Sequence, residues 1–230
     1  GVAKANGKFV CFLDADDEWE SSVLTEFNLL VQKCPNKSLY SCRYREITQS
    51  YVLHDNNKSI VNLDSNFSRL MCEIPNLICS SSVCIKKEKF MQVKGFPEGV
   101  AIGEDIYLWF ILAGNENYLP SNKCLVSVHK DSDNRSIGSL RNNIPHILKK
   151  YYIDDEFSDT KDDGWFKKYI TTKAILYSMT LVMMKERKSA FKYSKMVFRK
   201  DFKLSLFILF ILCLPSRLYE TMQKVRDKYR

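Results

Sequence analysis

The chain has 230 residues, of which 45% are hydrophobic and 27% charged, with only 8 Gly and 6 Pro. That excludes collagen-like, low-complexity and wholly disordered classes and allows one domain with an appendage, or two small ones. The net charge of +8 sits in the tail: residues 181–230 hold 13 Lys/Arg against 4 Asp/Glu, and the other 180 hold 22 against 23. A nearly neutral body with a basic tail points to an anionic surface or polymer met by that tail, and away from a nucleic-acid groove.

Eight cysteines lie at 11, 34, 42, 72, 79, 84, 124 and 213, none in a C-x-x-C pair, and several fall inside apolar runs. They read as reduced core cysteines of a cytosolic protein rather than a disulfide framework or a zinc site. No signal peptide is visible. The opening Gly1-Val2-Ala3-Lys4 lies inside what reads as an element, which suits a processing site, an expression boundary or the edge of a fragment.

In chain order, residues 9–13 (FVCFL) form a continuous apolar run, the pattern of a strand buried on both faces. Residues 21–33 place Val23, Leu24, Phe27, Leu30 and Val31 at helical spacing, and Pro35 stops that helix. Strand followed by helix indicates an α/β layered domain. Residues 39–47 and 51–54 predict antiparallel strands, with a turn at Asp55-Asn56-Asn57 before a further strand at 58–63. A strand is expected at 77–85, a loop at Phe96-Pro97-Glu98-Gly99, a helix over Glu104 to Ala113 and a last strand at 124–129. Only helical patterns follow from about 139, and acidic loops near 150–163 mark the expected boundary between domains 1–150 and 151–230. Residues 204–214 (LSLFILFILCL) are the most apolar stretch, flanked by Lys203 and Arg217. Eleven helical residues reach about 16 Å, too short for a hydrocarbon core of roughly 30 Å. The stretch is either a buried helix packing on the domain or an interfacial helix held at an anionic membrane by its basic neighbours.

The strongest chemical signal is Phe12-Leu13-Asp14-Ala15-Asp16-Asp17-Glu18-Trp19. A buried strand running into three carboxylates is costly without a cation. Alternation along a strand would point Asp14 and Asp16 the same way at its C-terminal end, the edge where open α/β sheets hold ligands. Two oxygen ligands with open positions suit Mg²⁺ or Mn²⁺ holding a substrate's phosphates. The plain alternative is an acidic cap on the following helix. Glu104 and Asp105, at the start of the second helix, are by themselves ordinary first-turn residues that complement its dipole.

Together, Gly7-Lys8-Phe9-Val10-Cys11-Phe12-Leu13-Asp14-Ala15-Asp16-Asp17 and the ordered pair Lys94-Gly95-Phe96-Pro97-Glu98 and Gly103-Glu104-Asp105-Ile106-Tyr107-Leu108-Trp109 resemble two signature segments of family 2 glycosyltransferases. The resemblance covers about residues 1–135 and implies a GT-A-like fold, a Rossmann-like mixed sheet flanked by helices, here followed by an α-helical C-terminal region. It implies inverting sugar transfer from a nucleotide-diphosphate donor to a hydroxyl acceptor. Asp16 would hold the metal; Asp14 would contact the nucleotide or share that ion, and Asp17 would shape the site. Asp105 matches the general base, with Glu104 as its supporting neighbour. His129, at the end of the last strand, falls where such enzymes place a late metal or diphosphate contact, and Arg135 could pair with the diphosphate. A strand-end histidine and a loop arginine facing solvent are the plain readings of those two. Ser80, Ser81 and Ser82 could line an acceptor cleft or be small packing groups.

The family grips the base and ribose upstream of the D-x-D strand, and only Gly1 to Lys8 precede it here. The resemblance therefore implies a piece of such an enzyme, binding donor poorly or not at all in isolation. The expected partners are a nucleotide-sugar and a glycan or lipid-linked glycan acceptor, in surface polysaccharide or glycolipid synthesis. The expected location is cytoplasmic, peripheral on the cytosolic face of a membrane. A haloacid-dehalogenase-type phosphatase would want Thr or Val where Glu18 stands, and a calcium loop would want Gly where Trp19 stands. The non-enzymatic alternative is a truncated or inactive domain whose tail binds a membrane or partner.

Overall fold

The structure, a computed structural model, describes residues 1–48, 52–54, 66–74, 77–114, 117–130, 143–157, 164–215, 218–219 and 221. It is a mixed α/β protein that divides into two compact units, Gly1–Gly99 with Asp105–Arg135, and Val100–Glu104 with Ser136–Arg230. The expected turn at Asp55–Asn57, the strand at 58–63 and Arg135 lie outside the described residues.

The first unit is built on a six-stranded sheet of order β1-β5-β3-β6-β2, with β4 paired to β3. Its strands are β1 (Phe9–Cys11), β2 (Glu18–Trp19), β3 (Leu39–Ile47), β4 (Val52–His54), β5 (Val83–Lys86) and β6 (Tyr118–His129). The β3–β6 pairing is parallel and the other four are antiparallel. Because β5 runs against both β1 and β3, strands β1, β3 and β6 share one direction, and their carboxyl ends share one edge with the start of β5.

Alternation along β3 sorts the core into two layers. Tyr40 and Cys42 pack with Val23, Phe27 and Leu30 of α1 (Val23–Lys33). On the other side Ser41 bonds the Tyr118 hydroxyl at 2.6 Å. The Tyr118 ring meets Phe67 of α2 (Phe67–Glu73), and Phe67 meets Phe110 of α4 (Glu104–Ala113). The i, i+4, i+7 spacing of Val23, Phe27 and Leu30 is the apolar stripe that makes α1 a helix. The Cys34 N–H closes it on the Leu30 carbonyl, one residue before Pro35.

Three strand expectations are corrected. The run 9–13 is a strand only over Phe9–Cys11, half-buried at both ends, and Leu13 is 50% exposed. Its Phe12 ring leaves the ladder to join Phe90 and Phe96. The run 77–85 becomes a strand only at Val83, because Ser80–Ser82 form a 3-10 turn. There the Ser82 hydroxyl accepts the Cys79 N–H at 2.8 Å, the side-chain-to-backbone competition that takes serines out of strands. The last strand starts at Tyr118 rather than 124 because β3 offers it a longer parallel partner.

The second unit holds α5 (His146–Tyr152), α6 (Gly164–Met183), α7 (Arg187–Phe198) and α8 (Phe202–Cys213). The helical expectation for this region agrees with these elements. The Tyr152, Tyr177 and Tyr193 rings meet edge to face. The Ser205 hydroxyl bonds the Ser194 carbonyl at 2.9 Å, and the Arg187 guanidinium donates to the Leu212 and Leu214 carbonyls. Helix α8 packs Leu204, Ile208 and Ile211 inward and leaves Phe202, Leu206, Phe207 and Phe210 exposed, so the buried-helix reading holds for one face only. No helix among the described residues is long and apolar enough to cross a membrane. All eight cysteines are free; Cys42 and Cys84 are buried, and Cys213 is exposed.

One acid of the first unit is buried and matched. Glu26 on α1 accepts the Ser121 hydroxyl at 2.5 Å and the Lys123 ammonium at 2.6 Å. Burial pushes its carboxyl up, but those two hydrogen bonds and the Lys123 charge outweigh it and hold the group below its ordinary 4.5. A depressed carboxyl stabilises the fold above pH 4.5 and loses that contribution as the pH falls through its folded-state value. Urea unfolding of Glu26→Gln should show a loss of about 1.5–3 kcal/mol at pH 7. The variant's stability should also fall less steeply than the wild type's below pH 4.5.

Candidate functional site

The acidic segment is a turn. The Asp17 N–H bonds the Asp14 carbonyl at 3.1 Å, so Ala15 and Asp16 form the bend, and strand alternation does not set where Asp14 and Asp16 point. The turn carries the chain from β1 at one end of the sheet order to β2 at the other, along the edge where β1, β3 and β6 end.

Ser81 anchors it. This fully buried hydroxyl accepts the Asp14 N–H at 3.0 Å and donates to Asp17 Oδ2 at 2.6 Å, and the Ser81 carbonyl accepts the Trp19 indole N–H at 2.6 Å. One residue thus ties both ends of the turn and Trp19, two residues beyond it. Beyond the turn, Glu18 and Trp19 pair with Ser127 and Val126 of β6, and the Glu20 N–H bonds the Leu125 carbonyl at 2.9 Å. The sequence offers Ser81, with Ser80 and Ser82, only as cleft lining or a packing group. Its one sequence signal is the polar triplet Ser80-Ser81-Ser82 interrupting an apolar run.

The carboxylates crowd one another. Partial burial, then the charges of Asp17 and Asp16, hold the Asp14 carboxyl above its ordinary 3.8. Asp14 and Asp16 are exposed, and Asp17 is half-buried on Ser81. His129 ends β6 with Nε2 3.4 Å from Glu18 Oε1, an ion-pair distance, and that nitrogen has no hydrogen-bond partner among the described residues. Among the described residues no three His, Cys, Asp or Glu side chains converge closely enough to hold a metal ion by themselves.

Asp105 stands in the first turn of α4 and accepts the Ile106 N–H on Oδ1 at 2.6 Å. It belongs to the same compact unit as the acidic turn, whereas Glu104 is grouped with the other. A chain of rings runs from the acidic turn to the body of α4. Phe12 meets Phe96 at 5.4 Å and Phe90 at 5.8 Å, and Phe96 meets Trp109 at 5.8 Å. Trp109 is fully buried, one helical turn beyond Asp105. The loop closes on α3 (Lys87–Gln92) through Gly95, whose φ is +66° and whose added Cβ would come within 2.6 Å of the Phe90 ring.

No family model and no curated protein matches the chain. Among solved structures, S. aureus TarS 1–349 in complex with UDP-GlcNAc is similar over the whole of this chain and 70% of that chain, at 10% identity and a TM-score of 0.45. TarS 1–349 alone gives 69% of that chain, 10% identity and 0.43. A further structure of TarS is similar over 90% of this chain and 40% of that chain, at 10% identity and 0.43.

Two substitutions test this construction. Ser81→Ala removes the partner of the Asp14 N–H and of the Asp17 carboxylate while leaving the shape unchanged. It should cost about 1–3 kcal/mol in urea unfolding. Gly95→Ala imposes a left-handed backbone on alanine and presses on a ring held by two others. It should cost about 2 kcal/mol or more, and the intrinsic fluorescence of Trp109 should shift as its ring contact with Phe96 loosens.

Proposed function

We propose that the protein is a GT-A-like glycosyltransferase that moves a sugar, with inversion, from a nucleotide-diphosphate donor to an acceptor hydroxyl. The observation that carries this reading is the ring chain Phe12–Phe96–Trp109, which ties the acidic turn to the helix bearing Asp105. It links the two sequence segments that resemble the family. The donor's diphosphate would lie at the turn, at the sheet edge where open α/β folds take ligands.

The turn suits a shared divalent cation rather than a protein-only cage. Partial burial, with the charges of Asp17 and Asp16 behind it, holds the Asp14 carboxyl above its ordinary value, and among the described residues no three such side chains form a closed ligand set. Mg²⁺ and Mn²⁺ accept one or two carboxylates and take their remaining ligands from substrate phosphates and water. Asp16 would be the principal ligand, with Asp14 sharing the ion or touching the nucleotide. Asp17, fixed on Ser81, would hold the turn's shape. His129 would offer Nε2 to the ion or the diphosphate. When bound, the cation neutralises the charge that develops on the departing diphosphate.

The protein's own step is a proton transfer. The acceptor oxygen forms a bond to the anomeric carbon as the bond from that carbon to the diphosphate breaks, and the hydroxyl proton passes to the Asp105 carboxylate. The Ile106 N–H on Oδ1 keeps that carboxylate oriented. Glu104 beside it would support the base, and Arg135 could pair with the diphosphate. A surface polysaccharide or glycolipid is the acceptor class this reading favours.

Calorimetric titration of UDP, then GDP, with and without Mn²⁺ tests it. The expected result is binding that needs the metal and weakens at least roughly tenfold in Asp16→Ala, since losing even a residue that only hydrogen-bonds a metal ligand costs that much. Binding of equal strength in Asp16→Ala, or equal binding without metal, would overturn the assignment of the turn. A chain that binds but does not transfer would be the inactive binding module.

A further inference from the structure

We propose that the joined faces of α7 and α8 form a docking surface for an anionic lipid bilayer. This proposal stands apart from the transfer reading, because it uses only residues of the helical unit.

The apolar half of the surface is aromatic and uncovered. On α8, Phe202, Leu206, Phe207 and Phe210 recur every three to four residues on the side opposite the buried Leu204, Ile208 and Ile211, and Phe202 and Phe210 are 54% and 59% exposed. A helix apolar all round is ordinarily buried all round, and here half of it is not. Phe198 of α7, 53% exposed, stacks edge to face on Phe202 at 5.2 Å and carries the patch onto α7, where Phe191 lies two turns back on the same face. Exposed aromatic area of this extent marks an interaction surface.

The polar half decides the occupant. From Arg187 to Cys213 the chain has seven Lys/Arg and one acid, Asp201, and Asp201 is used in capping α8 through the Leu204 N–H. Lys188, Lys192, Lys195 and Arg199 recur along the same face of α7 as Phe191 and Phe198, and Lys203 lies among the exposed rings of α8. The Lys195 ammonium sits 4.7 Å from the Phe191 ring centre. No acidic side chain pairs with Lys192, Lys195 or Arg199 among the described residues. These three border a cleft of about 390 Å³ floored by Tyr152, Ile153 and Met196. Aromatic rings beside unpaired cations match the two layers of a membrane interface, with acyl chains below and phosphate headgroups at the level of the cations. A second copy of the same face would set cations against cations, a repulsion that bilayer phosphates replace with attraction. The surface lies on the interface and does not span it.

Vesicle flotation of the full chain tests this, with phosphatidylcholine alone and with phosphatidylcholine containing roughly a third phosphatidylglycerol. The expected result is flotation with the anionic vesicles only, weakening as salt rises above about 0.15 M. The pair Phe202→Ser with Phe210→Ser should reduce partitioning at least about tenfold. Lys192→Glu with Lys195→Glu should reduce it by about fivefold or more per charge. All four side chains are exposed, so the unfolding midpoint should stay at the wild-type value and separate lost docking from lost folding. Three outcomes would overturn the proposal: no flotation of the wild type with anionic vesicles, equal flotation with neutral ones, or undiminished flotation of the phenylalanine pair. Light scattering supplies a fourth, a wild-type dimer that the phenylalanine pair converts to monomer, which would give the face to a second copy.

Discussion

Asp14, Asp16 and Asp17 occupy one four-residue turn, and the rest of the first unit has to hold them against their mutual repulsion. Ser81 does this with a single hydroxyl that is donor and acceptor at once, binding the Asp17 carboxylate and the Asp14 N–H. Ser81 can stand there because Ser80–Ser82 depart from the strand geometry of the apolar run around them before β5 begins. β5 in turn stands between β1 and β3, which brings its first residues to the edge where β1 ends. The break in one strand and the position of the acidic turn are therefore one feature.

The same logic carries across to α4. A loop after α3 would ordinarily leave the following helix free to settle anywhere its apolar face could be covered. Here Phe96 is gripped between Phe12, Phe90 and Trp109, so the residue that precedes the acidic turn and the helix that carries Asp105 share one packed contact. Gly95 makes that contact reachable, because any side chain at its φ of +66° would press on the Phe90 ring. Edge-to-face rings are directional as well as apolar, and they fix the orientation of α4 as well as its distance.

Features that rest on spacing along the chain were legible in the sequence. The stripe Val23, Phe27, Leu30 with Pro35 behind it marks α1, and the run from Glu104 to Ala113 marks α4. Features that rest on contacts far apart in sequence were not. The Ser81 bonds span 62 to 67 residues, and no local pattern encodes them. β6 starts six residues before its most apolar stretch because Leu39, Tyr40 and Ser41 supply partners for Tyr118, Leu119 and Pro120. The strand at 9–13 stopped short for a related reason: Phe12 gains more from two rings than from another ladder position. The buried-helix reading of residues 204–214 holds for one face only, since hydropathy reports how apolar a helix is but not which of its faces a neighbour covers.

Two acids of the first unit show how surroundings move a carboxyl in opposite directions. Glu26 is the more deeply buried, yet its carboxyl is held below its ordinary value, because Lys123 and Ser121 within the chain satisfy its charge. The Asp14 carboxyl is held above its ordinary value by partial burial first and then by the charges of Asp17 and Asp16, while Ser81 takes its backbone N–H. The same unit thus lowers one carboxyl by giving it hydrogen bonds and a cation and raises another by partial burial beside like charges, and it is the second, at the edge where β1, β3 and β6 end, that the proposed diphosphate would meet.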